Sequence, residues 1–387
     1  MNFKHRKALC ARKKCKKDIS TISLIIFLTI LRTRNNLFFE NIDTCKQCQS
    51  FYYANLHILD FVNPINSKIE EAPSLSVNIS YCSCVLTPSL VTHSTWNLFR
   101  MQVKTSTQPI IVSIPICHYD DVESDKSSRK QLDEAILSTL FDLNVPAVCA
   151  INQAVLALFA ARQTSGIVVN IGFHQTSVVP ILNGKIMHNV GVETMGVGAL
   201  KLTSFLKDQM QQKNIYFGSL YTVRTLKENL CYVTPDYEAE LSKDTTASFQ
   251  VPSEGVFTLD KERFQTGEIL FQPRIAGMRA MGLHHAVALC MEHCQEAELI
   301  ADETWYRTVV LAGGTACLHG LAERLEQELC GLLPPSKSFG VKVLPPPHGV
   351  DSAWYGGKLI SNLSTFPSSW CVTKKQFRQR SRHKLLW

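Results

Sequence analysis

The sequence lacks an apolar run long enough to cross a bilayer comfortably. Its one candidate, Ile19–Leu31, follows a basic stretch as a signal or anchor segment does. It falls short of the roughly 20 residues that a transmembrane helix needs, and no small-residue cleavage site follows. Two interpretations of this segment remain: a membrane anchor, or a poorly folding leader, which need not be native coding sequence. We prefer the leader and expect no membrane partner.

A basic stripe interleaved with aromatic residues, typical of nucleic-acid-binding proteins, is also missing. The 387 residues carry a formal charge of +7, but residues 1–18 hold eight Lys/Arg against one Asp, and residues 374–387 hold six Lys/Arg and no acid. The remaining 26 basic and 32 acidic residues give the rest of the chain a net charge of −6. We therefore expect no direct binding of nucleic acid.

The 14 cysteines follow no spacing that indicates a disulfide framework. Several lie in apolar segments, among them Cys149, Cys231, Cys317 and Cys330. This placement is typical of buried thiols in a reducing compartment.

Metal ligands in the right number are also lacking. The pairs Cys45–Cys48 and Cys82–Cys84 have no His or Cys pair after them at zinc-finger spacing. Cys290, His293 and Cys294 share one face of a predicted helix, but no fourth ligand is near in the sequence. We predict core packing for that face and no metal site.

What the chain does have, from residue 109 to residue 363, is alternation of strand and helix patterns. This alternation predicts an α/β protein built from two similar halves, with ligands in the crevice between them. The predicted strands are Pro109–Ile116, Pro146–Ala150, Gly166–Pro180 (a hairpin), Ile186–Val192, Val256–Phe264 and Val341–Leu344. The predicted helices are Ser127–Leu143, Gln153–Ala161, Leu200–Met210, Tyr221–Leu230, Ile275–Cys294 and Ser352–Leu363.

Two glycine-containing turns are candidate phosphate or nucleotide sites. The pattern of Val309–Leu325 predicts a strand, a tight turn at Gly313-Gly314 and the start of a helix. The free amide groups at the start of such a helix favour the binding of an anion. The turn of the Gly166–Pro180 hairpin, at Gly172, is a second place where backbone amides meet phosphate.

Five segments in order resemble actin. They are Gln153–Ala161 (hinge helix), Gly166–Pro180 (second phosphate hairpin), Val223–Val233 (ribose and adenine helix), Val309–Gly320 (adenosine loop) and Trp354–Phe366 (returning C-terminal segment). The chain is identified as a member of the actin superfamily, similar to its plant type that carries an F-box, although no F-box pattern is found in residues 1–98. The resemblance implies an α/β, actin-like (ribonuclease H-like) two-lobed fold with an incomplete N-terminal half-domain. The implied boundaries are 1–98 (leader), 99–161 (first lobe), 162–350 (second lobe), 351–373 (return to the first lobe) and 374–387 (basic tail).

The resemblance also assigns nucleotide-binding roles. Gln153 matches the residue that orients the attacking water, Lys227 and Glu228 match the ribose and adenine contacts, and Gly172 lies in the phosphate turn. The adenosine loop keeps three residues, Gly313, Gly314 and Thr315. ATP is the one cofactor that the resemblance admits.

Departures from the actin pattern weigh against catalysis. The first phosphate hairpin is not found in residues 1–100, and Asn170 replaces the aspartate that faces the metal. His174 replaces a glycine, where its bulk would crowd a phosphate and disfavour a positive φ. Ser177 replaces the histidine that helps arrange the water, and Val350 replaces a lysine near the adenine. Hydrolysis needs a metal, a positioned water and a phosphate clamp together, so we predict no catalytic residues.

The sequence therefore predicts a catalytically silent, actin-related scaffold that binds other proteins, binds nucleotide weakly or not at all, and does not form filaments. The basic tail Lys374–Lys384 resembles a nuclear import signal, with a cytoplasmic location as the alternative. An ATPase and an F-box-type adaptor in ubiquitin ligation remain alternative functions. A small-molecule kinase is excluded because Ala150–Gln153 contains no carboxylate.

Overall fold

Two sheets with helices between and around them form the described part of this computed structural model. It describes residues 75–77, 109–114, 134 and 136–379, apart from positions 189, 192, 253 and 298–303. Apart from residues 75–77, the predicted leader lies outside these residues, as do its cysteine pairs and most of the basic tail.

The first sheet has the strand order β1-β2-β3-β12. Strands β1 (Leu75–Val77), β2 (Ile110–Ile114) and β3 (Ala147–Asn152) are parallel, and β12 (Val372–Thr373) runs antiparallel to β3. Every residue of β2 is buried, as its unbroken apolar run predicts for a parallel strand covered on both faces. Strand β1 comes from the range that we assigned to the leader.

The second sheet has the order β11-β10-β4-β5-β6, with β7 paired to β5. Strands β11, β10 and β4 are parallel, and β4 and β5 form the predicted antiparallel hairpin. The bounds are β4 Gly166–Ile171, β5 Thr176–Leu182, β6 Lys185–Ile186, β7 Glu193–Met195, β10 Thr308–Ala312 and β11 Lys342–Leu344; β8 (Ala247–Val251) and β9 (Gly255–Leu259) form a separate hairpin.

Eleven helices are assigned in the described part of the chain. They are α1 (residues 136–142), α2 (Gln153–Ala160), α3 (Ala199–Gln212), α4 (Leu220–Leu230), α5 (Tyr237–Leu241), α6 (Glu262–Glu268), α7 (Leu283–Glu296), α8 (Leu321–Leu332), α9 (Pro335–Ser338), α10 (Ser352–Ser361) and α11 (Lys374–Gln379), with short 3-10 turns at Pro273–Ala276, Trp305–Arg307, Thr315–Cys317 and Gly349–Asp351. Of these helices, none is long and apolar enough to span a bilayer.

Helices α2 and α10 pack between the two sheets. Side chains of β2 and β3 on one side and of β4, β5 and β10 on the other join them in a single core cluster. A Cβ at Gly356 of α10 would lie 1.9 Å from the Leu156 carbonyl oxygen of α2. Only glycine permits this approach, so Gly356 lets α10 pack closely against α2.

Two predicted elements need correction, and one strand was not predicted. The helix predicted at Ile275–Cys294 begins only at Leu283, because Pro273–Ala276 forms a 3-10 turn that ends at Gly277 with φ +68°. The predicted strand Ile186–Val192 contributes only Ile186 to β6. Strand β8 was missed because its exposed residues alternate with half-buried ones and give no apolar run.

Candidate nucleotide-binding cleft

The carboxyl ends of the parallel strands carry neutral polar side chains. In the first sheet these are Ser113 on β2, Asn152 on β3 and Gln153 directly after β3. In the second sheet it is Asn170, the last residue of β4 that pairs with β10. Each has a buried side-chain atom without a hydrogen-bond partner: Ser113 Oγ, Asn152 Nδ2, Gln153 Oε1 and Asn170 Oδ1. Buried polar atoms are normally paired, so these strand ends are suited to a polar ligand or water.

Gln153 is held in place by the start of α2. The Asn152 side chain caps this helix by accepting a 2.9 Å hydrogen bond from the Ala154 amide. Gln153 itself is buried. The sequence analysis considered Asn152 only as part of a segment without a carboxylate. It missed Ser113, which could have been noticed as the single hydroxyl in an apolar strand.

The predicted adenosine loop follows β10. Gly313 has φ +95°, and a Cβ there would lie 2.3 Å from the Ile171 carbonyl oxygen and 3.2 Å from Asn170 Oδ1. The glycine is therefore needed for β10 to leave the sheet beside β4. Thr315 then begins a 3-10 turn rather than the predicted helix, because α8 starts only after Gly320 at φ +80°.

The hairpin turn is closed by its own backbone. The Gly172 amide donates to the Gln175 carbonyl at 3.0 Å, and the first amides of α3, of Ala199 and Leu200, donate to the carbonyls of Gly172 and Phe173 at 2.9 Å each. The Gly172 amide, which was predicted to meet phosphate, is thus bonded within the protein.

His174 lies in the same turn without the strain that we predicted. The described non-glycine residues with positive φ do not include it. Replacing a glycine by His174 therefore does not force a side chain into the left-handed conformation. Its ring contacts Phe173 edge-on at 4.8 Å between centroids. Partial burial lowers the pKa of His174 below its usual value, which favours a neutral ring.

Lys227, which the family resemblance assigned to the nucleotide, is a buried side chain of α4. Only 3% of it is exposed, and its Nζ donates to the Ala199 carbonyl at 3.2 Å and to Thr203 Oγ1 at 3.0 Å. Burial lowers its pKa to about 8, partly opposed by the neighbouring Glu228. The ammonium therefore joins α4 to α3 through these two hydrogen bonds.

Glu228 lies on the open side of α4. Its Oε1 accepts a 2.8 Å hydrogen bond from Arg224 Nε, one helical turn earlier.

The thiol of Cys317, in the 3-10 turn, lies near two acidic side chains. Partial burial raises the pKa of Cys317, and the charges of Glu228 and Asp351 raise it further. Glu228, Cys317 and Asp351 thus surround one region beside the adenosine loop, and Cys317 is exposed rather than buried as predicted.

Val350 borders this region. Its Cγ1 would lie 3.6 Å from a Cβ at Gly314, and 44% of its surface is exposed. The position of the expected lysine therefore offers an apolar contact to a ligand beside the loop and no positive charge.

The predicted His-Cys face on α7 packs against the segment after β6. Cys290 Sγ lies 3.7 Å from the Gly191 carbonyl oxygen, and a Cβ at Gly191 would lie 2.5 Å from His293 Nδ1. Cys290 and Cys294 belong to the core of the second lobe. Within the described ranges no three His, Cys, Asp or Glu side chains converge as metal ligands.

These residues fit magnesium-bound ATP poorly. The unpaired Asn170 Oδ1 beside Gly313 offers one hydrogen-bond acceptor to a polar ligand at the loop. Magnesium, however, is commonly held through carboxylates together with phosphates, and the strand-end side chains named above are neutral. Lys227, the expected cation, is bonded to α3. We therefore derive no catalytic step through ATP.

Comparison with known proteins agrees with this architecture. The family model described as Actin matches residues 89–225 and 217–383. The chain is 68% identical over 288 residues to Actin-related protein 8 of Arabidopsis thaliana, covering 74% of this chain and 61% of that protein. It is 65% identical over 283 residues to Actin-related protein 8 of Oryza sativa subsp. indica and of subsp. japonica, covering 73% of this chain and 58% of each. The chain thus spans about three-fifths of the length of these relatives.

Proposed function

The chain belongs to the actin family, and from this premise we propose that it is a scaffold that binds other proteins and does not hydrolyse ATP. The observation that carries the proposal is the neutral set of strand-end side chains, Ser113, Asn152, Gln153 and Asn170. Without a carboxylate there, a magnesium ion loses one of its usual ligands. The closed turn at Gly172 removes a phosphate-binding amide as well.

The decisive experiment measures phosphate release from Mg-ATP by the full chain. We expect no release above buffer for the wild type and none for Gln153→Ala. Magnesium-dependent release that disappears in Gln153→Ala would overturn the proposal. Asn170→Asp, which restores a carboxylate at the end of β4, serves as a gain-of-binding variant: it should increase the magnesium dependence of any ATP-induced thermal shift.

Thermal unfolding with millimolar Mg-ATP separates weak binding from none. Ligand that binds only the folded state raises the unfolding temperature in proportion to the logarithm of its concentration over Kd. We propose weak or no binding and expect a shift of less than about 2 °C for the wild type. A rise of several degrees would show that the cleft still holds the nucleotide.

The remaining parts of the proposal concern assembly and location. We propose that the chain does not copolymerise with actin, which a pelleting assay at micromolar actin tests. We propose the nucleus as its location because Lys375 and Arg378 at the start of the basic tail are exposed on α11. A fluorescent fusion lacking residues 374–387 should then lose nuclear accumulation.

An adaptor role in ubiquitin ligation depends on residues 1–98, nearly all outside the described part of the chain. Capture of a Skp-type adaptor by the full chain, lost on deletion of residues 1–98, would support this alternative to a scaffold without such a link.

A further inference from the structure

Cys149 and Cys371 lie opposite each other on two neighbouring strands of the first sheet. The antiparallel ladder pairs Val148 with Val372 and Ala147 with Thr373. The same register, continued by one residue, places Cys149 opposite Cys371. Directly opposed residues of an antiparallel pair have Cβ atoms about 4.5–5.5 Å apart, and the short end of this range meets the spacing of about 3.5–4.5 Å that a disulfide needs.

A second observation places the two side chains in the same part of the core. Cys371 packs against the core cluster that contains Cys149, and both thiols are free. The register and the side-chain contact therefore agree that the two side chains point to the same face of the sheet.

The two thiols differ in their access to solvent. Cys149 is fully buried in the core between the sheets, whereas Cys371 is partly exposed at the edge of that same core. A reagent in solution therefore reaches Cys371 first, and Cys149 lies directly behind it.

We propose that Cys149 and Cys371 are a redox modification site, which closes to a reversible disulfide when the protein meets a low-molecular-weight disulfide such as oxidised glutathione. This inference does not depend on the proposed scaffold function, because it rests on the first sheet alone.

The exchange balances in two steps. The Cys371 thiolate attacks one sulfur of the small disulfide; an S–S bond forms to Cys371, and one small thiolate leaves and takes up the proton that Cys371 lost. Cys149 then gives its proton to solvent and attacks Cys371 Sγ, which releases the second small thiol. The two protein thiols are oxidised and the small disulfide is reduced to two thiols.

The second step is expected to be the slower one. The hydrogen bond to Cys371 raises the pKa of Cys149 far above its usual value, and burial raises it further. The thiolate is the attacking species, so little Cys149 is ready to react at neutral pH. Once Cys371 is in a mixed disulfide, its sulfur no longer carries charge beside Cys149 and no longer accepts the Cys149 proton as a thiolate does.

The bond would join β3, which leads directly into α2 and Gln153, to the start of β12 and the C-terminal segment. These parts are more than 200 residues apart in sequence. In the reduced protein they are joined by a two-residue strand pairing and by contacts of Lys374 and Phe377 with Phe141, none of them covalent. Oxidation would therefore fix the C-terminal segment to the first sheet.

The test uses the full-length protein, incubated with oxidised glutathione, blocked with N-ethylmaleimide, digested and examined by non-reducing mass spectrometry. We expect a peptide pair linked through Cys149 and Cys371 that dithiothreitol separates. Glutathione on Cys371 without this linked pair, or a link from Cys371 to another cysteine, would overturn the proposal.

Matched variants give a second readout. The exposed Cys330 is the control: Cys330→Ser should keep the link, and Cys371→Ser should abolish it while the chain stays folded. Oxidation should also raise the midpoint of thermal unfolding by several degrees in the wild type and in Cys330→Ser, and not in Cys371→Ser. An equal shift in Cys371→Ser would assign the effect to another cysteine and contradict the proposal.

Discussion

The two sheets differ in how the chain completes them. All strands of the second sheet lie between Gly166 and Leu344, and its core forms one large cluster of side chains from that interval. The first sheet combines residues 75–77, 110–114 and 147–152 with the distant β12 at 372–373. Its two faces are covered by two smaller clusters, one around α1 and one around α2 and α10.

This difference predicts which parts of the molecule contribute most to its global stability. The second lobe is closed by its own sequence and contains a buried ion pair between Arg324 and Glu268. The first sheet is completed by α10 and β12, which come from the C-terminal part of the chain. We therefore expect changes inside the second lobe to alter global stability most, and changes at the joint between the sheets to act next.

The largest effect is expected from Arg324→Ala. Arg324 forms two hydrogen bonds of 3.1 and 3.2 Å with the fully buried Glu268 and a third of 2.7 Å with the Thr234 carbonyl. Removing it leaves a buried carboxylate without its cation, which costs about 3–5 kcal/mol. Urea denaturation measures the loss.

The control for this change is Lys243→Ala, which breaks an exposed ion pair with Glu240. Such pairs contribute about 0.5 kcal/mol or less. A loss of under 1 kcal/mol in Arg324→Ala would show that the second lobe is not held together from within, and would remove the contrast between the two lobes.

The joint between the sheets is tested by Gly356→Ala. Its new Cβ would meet the Leu156 carbonyl oxygen and force α10 away from α2, which we expect to cost about 2–3 kcal/mol. Gly331→Ala is a matched control in helix α8, because a Cβ there meets nothing within 4 Å and alanine favours the helix by about 1 kcal/mol. Destabilisation of both variants to the same degree would contradict a close helix contact at Gly356.

A pH effect is expected from His284 in the second lobe. Burial, together with the smaller effect of the neighbouring His285, lowers its pKa to about 4. The unfolded chain, with a pKa near 6.5, then binds a proton that the folded chain does not. Stability should therefore fall as the pH drops from 6.5 to 4, by about 2 kcal/mol from this group after allowance for its partial exposure.

Denaturation midpoints at pH 7, 6, 5 and 4 measure this dependence. His284→Gln should flatten the curve between pH 6.5 and 4, and the exposed His319→Gln should keep the slope of the wild type. An unchanged slope in His284→Gln would assign the acid sensitivity to other groups.

The smallest effect is expected from Lys227→Met. The substitution removes two hydrogen bonds to α3 but also the cost of a buried charge, so we expect the stability at pH 7 to change by less than about 1 kcal/mol. Because the pKa of Lys227 in the folded chain is about 8, the wild type should gain stability from pH 8 to 10.5 as the unfolded chain alone holds the proton.

This gain should be absent in Lys227→Met, and the thermal response to Mg-ATP should be unchanged. A loss of the ATP response in the variant would show instead that Lys227 contacts nucleotide, as the family resemblance assigned it.

The sequence predicted those parts of the fold that are determined by local pattern. The buried run at Ile110–Ile114, the β4–β5 hairpin and helix α2 have the predicted types and close to the predicted bounds. It failed where a backbone turn overrides the side-chain pattern. Gly277 and Gly320 adopt left-handed conformations, and they delay the starts of α7 and α8 by several residues.

The site was harder to predict than the fold. The resemblance to actin identified Gln153 as a candidate, and the glycine pair identified the Gly313–Gly314 turn; the structure places both at the ends of strands. These sequence features did not reveal that Lys227 is directed inward, since a lysine in an amphipathic helix is ordinarily solvated. Nor did they identify Ser113 or the pairing of Cys149 with Cys371.

The sequence by itself determined the class of the protein, because motif order and apolar periodicity are properties of neighbouring residues. It also determined the neutral character of the strand ends, since Asn170 is neutral in any conformation. The tertiary structure alone decided which polar atoms are buried without partners and which amides of the Gly172 turn are already bonded. Such facts depend on contacts between residues far apart in the chain, such as Val148 and Val372, and only folding brings these together.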